Sequence, residues 1–177
     1  LCEYEKYAQV VTLFDRLDYV ANLNMELGFC LAVEKLMELE IPDRASYVRV
    51  ILSELNRIAS HLLFYGTYGL DVGAMTPVLY AFKEREKIQN FFESVTGARM
   101  MHNYFHIGGV KEDVPHNFND LLSSLLLDLR KDVEECDRLL SFNEVFVART
   151  KGVGEIDLET ALDYGWTGPS LRACGLE

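Results

Sequence analysis

Two short stretches of this 177-residue chain gather side chains that could hold a polar ligand and move protons. The first, Phe14-Asp15-Arg16-Leu17-Asp18-Tyr19-Val20, brings two carboxylates, a guanidinium and a phenol together just ahead of a long apolar-periodic segment. The second, Leu70-Asp71-Val72-Gly73-Ala74-Met75-Thr76-Pro77, sets one acid inside an apolar run. Such a polar cluster at the mouth of a helical frame suggests a site more than a surface. With Leu70 and Val72 on either side, Asp71 is expected to be at least partly buried. That state requires a cation, hydrogen-bond donors or retention of the proton. Residue types alone also admit plainer accounts: a cap or ion pair for Asp71, boundary packing for Tyr19, and a local ion-pair network for Asp15, Arg16 and Asp18. The charges of Lys83-Glu84-Arg85-Glu86-Lys87 are most simply a solvated or subunit-facing surface.

The rest of the chain reads as the helical frame that must position these stretches. Residues 1–19 carry apolar side chains without a sustained period and are expected to be extended or irregular. Across 22–40, Leu23, Leu27, Cys30, Leu31, Val33, Leu36 and Met37 recur at three- and four-residue steps, which predicts an amphipathic helix ended by Ile41-Pro42. A second helix is expected over 43–65, with Val48, Leu52, Leu55, Ala59 and Leu62 on its apolar stripe and Arg49, Glu54, Arg57 and His61 off it. Gly66 and Gly69 are expected to loosen the chain before Asp71. Thr76 as cap and Pro77 at the first helical position open a third helix, which runs to Thr96 with Gly97 beyond it. Residues 97–110, with Arg99, His102, His106 and a glycine pair, read as a helix end and a turn. A fourth helical region is expected over 117–141. Past Asn143 glycines break the chain into short elements, one capped by Asp157.

Composition excludes several function classes. A net charge of −11 argues against nucleic acid and against electrostatic docking to an anionic membrane surface. No apolar run approaches the roughly 20 residues of a membrane span. Cys2, Cys30, Cys136 and Cys174 are scattered, without a C-x-x-C or a Cys/His ligand spacing, which fits free thiols of an intracellular chain. His61, His102, His106 and His116 form no metal-ligand spacing, and there is no nucleophile triad, phosphate loop or dinucleotide fingerprint. The start lacks both a signal peptide and a Met. The chain is expected to be a single domain over 1–177, an internal piece of a longer protein.

The order of the motifs is specific. The 14–20 stretch, Cys30-Leu31-Ala32-Val33-Glu34-Lys35-Leu36, residues 42–49, the 70–77 stretch, Phe82-Lys83-Glu84-Arg85-Glu86, residues 97–115 and Gly165-Trp166-Thr167-Gly168-Pro169-Ser170-Leu171-Arg172-Ala173 follow one another. This resembles the D subunit of respiratory complex I (NADH-quinone oxidoreductase), the counterpart of the chloroplast and cyanobacterial H subunit, along essentially the whole chain. The family is homologous to the large subunit of nickel–iron hydrogenases. The resemblance therefore implies a mainly α fold, a helical bundle of the hydrogenase large-subunit type with minor β or irregular segments. The hydrogenase C-x-x-C after the arginine is replaced here by Asp18 and Ala21, so the thiolates that would bridge nickel and iron are absent and no metal is expected on this chain.

The resemblance also implies roles. Tyr19 matches the tyrosine that hydrogen-bonds the quinone headgroup. Asp71 matches the acid paired with a quinone-binding histidine, which lies on a hairpin outside this stretch. Arg16 matches an arginine beside the terminal [4Fe–4S] cluster, whose ligands come from a partner subunit. NAD would bind other subunits. The implied partners are the small iron–sulfur B subunit, the C subunit and the membrane arm. The implied location is the cytoplasmic side of the cell inner membrane, as a peripheral component, or the matrix or stroma side of the organelle equivalent. Two positions depart from the family pattern: Met101 stands where many members carry a histidine beside the cluster, and His106 where many carry an arginine. The rivals to this reading are a non-catalytic scaffold subunit of a hydrogenase-related membrane complex and a true hydrogenase large subunit.

Overall fold

The computed structural model describes residues 1–176 and is mainly helical, as the periodicity and the resemblance predict. A 3-10 turn (Cys2–Tyr4) leads into α1 (Tyr7–Phe14), where an irregular segment was expected. α1 is too short to show a period, yet it forms because Val10 and Val11 are buried and the Gln9 side chain accepts from the Lys6 N–H at its start. α2 (Asn22–Met37) ends at Glu38 in the left-handed conformation. α3 (Asp43–Asp71) is the longest element and packs against α2 and α4 (Thr76–Thr96). α5 (Phe118–Leu139) packs on α4. Three short helices follow: α6 (Glu144–Thr150), α7 (Leu158–Asp163) and α8 (Gly168–Ala173). Asn143 and Asp157 cap α6 and α7 through their side-chain oxygens.

The core sits among α2, α3, α4 and α5, with Leu23, Cys30, Leu52, Leu55, Ile88, Phe92 and Leu129 buried. Gly66 and Gly69 do not loosen α3; the helix runs through both. A Cβ at Gly66 would lie 3.0 Å from Val78 Cα and 3.1 Å from Ala81 Cβ. A Cβ at Gly69 would lie 3.0 Å from Leu140 Cδ2. These glycines admit the close approach of neighbouring elements. Thr76 also differs from expectation: it is the first helical residue and makes no capping bond, while Met75 precedes the helix. Asp71 is exposed, which overturns its expected burial. It lies two residues past Gly69 on a helix, so it points away from the face that Gly69 packs.

The charged centre of α4 is not only a surface. Glu84 is buried, and Lys87 Nζ donates to Asp132 Oδ2 of α5 at 2.6 Å, which ties the two helices together. The connection after α4 forms a small hairpin, β1 (Phe105–His106) with β2 (Gly109–Val110), in the register Phe105 with Val110 and His106 with Gly109. Among the described residues no helix is long and apolar enough to cross a membrane.

Candidate functional site

The loop of residues 16–21 joins α1 to α2, and its base is closed from inside. Asp15, the residue after α1, is fully buried, and Asn22 Nδ2 donates to its Oδ1 at 3.1 Å. The two ends of the loop are thereby held side by side. Asp18 accepts from the N–H groups of Val20 and Ala21 at 3.2 and 3.3 Å, which fixes the turn that leads into α2. Arg16 turns outward, and its Nη1 donates to the Thr12 carbonyl. Asp15, Arg16 and Asp18 therefore form no local ion-pair network; each carboxylate is taken by amide donors instead. Tyr19 is 61% exposed, and its hydroxyl makes no hydrogen bond among the described residues.

Beneath the loop, α2 carries Asn22, Glu26, Cys30 and Glu34 at four-residue steps, all of them buried. This stripe grips the connection between α4 and the hairpin. His102 Nδ1 lies 2.9 Å from Asn22 Nδ2. Glu26 Oε2 accepts from the N–H groups of Tyr104 and Phe105 at 2.9 and 2.7 Å. Glu34 pairs with Arg49 of α3 through two bonds, at 2.6 and 2.9 Å, and accepts from the Gly108 N–H at 2.8 Å. Arg49, expected off the buried stripe, is 1% exposed and donates to the carbonyls of Gly109 and His106. Burial pushes the Glu34 carboxyl up, but the Arg49 guanidinium and the Gly108 N–H outweigh it and hold it below the usual carboxylate range. Burial pushes the Glu26 carboxyl up to about 9, and the adjacent Asp15 carboxyl adds to the shift. Burial holds the His102 imidazole down to about 4, against the pull of the Asp15 charge.

Asp71 closes α3 and opens a tight turn. The Gly73 N–H donates to Leu70 O at 2.9 Å and the Ala74 N–H to Gly69 O at 2.8 Å. Gly73 has φ +94°, and a Cβ there would lie 2.5 Å from Arg149 Nη1, so the position requires glycine. Arg149 of α6 crosses the turn and donates to the Val72 carbonyl. A cavity of about 310 Å³ lies beside it, lined by Val72, Ala74, Thr76, Leu140, Phe146 and Arg149. The Asp71 carboxylate has no ion-pair partner among the described residues.

Tyr19 and Asp71 do not meet within this chain. The Leu23 N–H donates to Asn56 Oδ1 of α3 at 3.1 Å, which fixes where α2 begins along α3. Asp71 lies about four turns further along that helix, on the order of 20 Å away at the helical rise. Both are solvent-facing groups. Sequence reasoning missed Glu26, Glu34 and Arg49 as buried partners. The signal was present in the four-residue spacing of Asn22, Glu26, Cys30 and Glu34, which share one face of α2. Among the described residues no group of three or more His, Cys, Asp or Glu is placed to hold a metal ion.

Comparison with known proteins gives a consistent relationship. Residues 71–177 match the family described as respiratory-chain NADH dehydrogenase, 49 kDa subunit. The D subunit of the NADH-quinone oxidoreductase of Chlorobium phaeovibrioides is 49% identical over 176 residues, covering 99% of this chain and 44% of that protein. The corresponding D subunit of Clostridium beijerinckii is 48% identical over 177 residues, covering 100% of this chain and 48% of that protein. The chain thus spans a little under half the length of these relatives. Matched by the family over 71–177 and by the D-type proteins from end to end, this chain belongs to the 49 kDa (D) subunit family of respiratory-chain NADH dehydrogenases.

Proposed function

We propose that this chain is the quinone-site part of the D subunit of a proton-translocating NADH:quinone oxidoreductase, one domain within a longer polypeptide. Reduction of a quinone to a quinol takes two electrons and two protons. The electrons would come from a [4Fe–4S] cluster held by the small iron–sulfur B subunit. On this chain, Tyr19 is the proposed catalytic phenol: its O–H hydrogen-bonds one quinone carbonyl and gives its proton to that oxygen as charge arrives. Asp71 acts through a histidine outside this stretch, holding the imidazolium that serves the other carbonyl. Arg16 is proposed to lie near the cluster, where a guanidinium favours the reduced state. NAD binds other subunits. The C subunit, the membrane arm and the cytoplasmic side of the inner membrane (or its organelle equivalent) complete the proposed setting. Charge rearrangement at the quinone would then drive proton pumping in the membrane arm.

One observation carries this reading. The Tyr19 phenol and the Asp71 carboxylate are exposed and unbonded, yet each sits on a turn fixed by buried or backbone hydrogen bonds. Groups with structural tasks alone would be expected to find partners within the fold. The test is quinone reductase turnover of the assembled complex carrying Tyr19→Phe, with cluster content checked by EPR. A fall of at least tenfold with intact clusters is expected. Near-normal turnover would make the phenol structural, and the non-catalytic scaffold reading would replace this one.

A further inference from the structure

The two carboxyls under the loop have no cation. Asp15 and Glu26 are each 0% exposed, and neither lies within ion-pair distance of a Lys, Arg or His among the described residues. One nitrogen bridges them: Asn22 Nδ2 lies 3.1 Å from Asp15 Oδ1 and 3.4 Å from Glu26 Oε1. The outer oxygens are filled from the connection after α4: Asp15 Oδ2 accepts from the Asn103 N–H at 3.1 Å, and Glu26 Oε2 from Tyr104 and Phe105. That connection is strained. Met101 and Asn103 hold left-handed φ values of +54° and +43° on either side of His102. Such a conformation persists only where surrounding contacts over-determine it. His102 is 4% exposed, and its Nε2 has no hydrogen-bond partner among the described residues.

We propose that Asp15 and Glu26 share one proton, that this proton latches the loop of residues 16–21 in place, and that Glu26 is thereby a positioning residue for Tyr19. With the proton present, the Glu26 hydroxyl donates to the Asp15 carboxylate, and Asp15 remains free to hold Asn22 and Asn103. Without it, two like charges stand on either side of one amide nitrogen in a site shielded from water, and the pair must part. Asp15 is the residue next to Arg16, so its displacement moves the loop that carries Tyr19.

The surroundings keep the proton where it is. From α2, Asn22 contributes amide atoms, and Cys30, one turn below Glu26, is a buried thiol that burial pushes up to about 11. From α3, Asn56 is occupied by the Leu23 N–H, and Arg49 is bound to Glu34. From the loop, Arg16 faces the Thr12 carbonyl of α1 instead of the pair. From the connection, His102 is kept neutral by burial and does not take the proton, while Phe92 of α4 packs against its ring at 4.7 Å. Because the Glu26 value in the fold, about 9, is raised above 4.5, the latch stabilises fully below 4.5 and is lost as pH rises through about 9.

The functional part of this inference rests on the quinone reading, and the experiment separates the two. Infrared difference spectra of the assembled complex on either side of pH 9 would report the protonated carboxyl stretch. That band is expected in wild type and absent from Glu26→Gln. Turnover of the same samples is expected to fall above pH 9 by about tenfold per unit, the slope of one proton, with the break missing in Glu26→Gln. Asp15→Asn, which removes the neighbouring charge, is expected to move the break to lower pH. A wild-type spectrum without a Glu26-dependent band overturns the shared proton. A band that is present while Glu26→Gln and Asp15→Asn keep the wild-type pH profile overturns the positioning role. If Tyr19→Phe leaves turnover intact while the band stands, the quinone reading fails and the shared proton does not.

Discussion

Two buried carboxyls on one face of α2, Glu26 and Glu34, are held in opposite ways. Glu34 has a cation, Arg49, in two-bond contact, and both are almost fully enclosed. Glu26 has only another carboxyl and amide donors. The first arrangement keeps the acid ionised and the second keeps it protonated. Removing one member of a buried pair leaves an uncompensated charge, so Arg49→Met is expected to destabilise by about 3–5 kcal/mol. The double variant Arg49→Met with Glu34→Gln should recover much of that loss, although the carbonyls of His106 and Gly109 would still lack their donor. Urea unfolding of the full-length subunit measures both. Equal losses in the single and double variants would show that the hairpin carbonyls, and not the charge, dominate.

At the scale of elements, α3 owes its length to two glycines that a sequence reader takes as breaks. Both stay helical because neighbours fill the space a side chain would need. Their tolerance to substitution should differ. At Gly66 the obstacle is backbone, Val78 Cα at 3.0 Å, so Gly66→Ala is expected to cost about 1–3 kcal/mol through overpacking. At Gly69 the nearest obstacle is the tip of a leucine side chain that can turn aside. Gly69→Ala should lie within about 1 kcal/mol of wild type, because the gain in helix propensity offsets the contact. Unfolding midpoints of the two variants decide this, and equal losses would mean that the Val78 backbone and the Leu140 side chain yield equally. The α4–α5 contact holds a similar lesson. Lys87 bridges Glu84 and Asp132, so a charge run that reads as solvated surface contains an internal tie.

Over the whole molecule, the frame buries one face of each long helix and leaves apolar side chains outside. Tyr47, Val50, Phe64 and Tyr68 of α3 and Leu36 and Met37 of α2 are exposed. Exposed apolar surface on this scale marks contact with other chains or other parts of the same chain. Produced alone, the 177-residue chain is expected to self-associate despite its charge of −11. Light scattering on a sizing column measures this: mass rising with concentration is the expected outcome, and a constant monomer mass would show that these faces are tolerated in water.

The sequence by itself determined the fold class, the four long helices and the family. Apolar periods of three and four residues and an ordered series of motifs are local properties that survive without coordinates. Residue types also drew attention to the 14–20 and 70–77 stretches, while the roles expected of Arg16, Tyr19 and Asp71 came from the resemblance alone. Only the tertiary structure decided which charges are inside. Arg49 and Glu34 are 15 residues apart in sequence and in contact in space, and His102 reaches Asn22 across 80 residues. Exposure of Asp71, burial of Asp15 and Glu26, and the persistence of α3 through Gly66 and Gly69 likewise depend on what packs against each position. A helical period counts the residues of one segment. Burial of a polar group is settled by whether another segment supplies its hydrogen-bond partners.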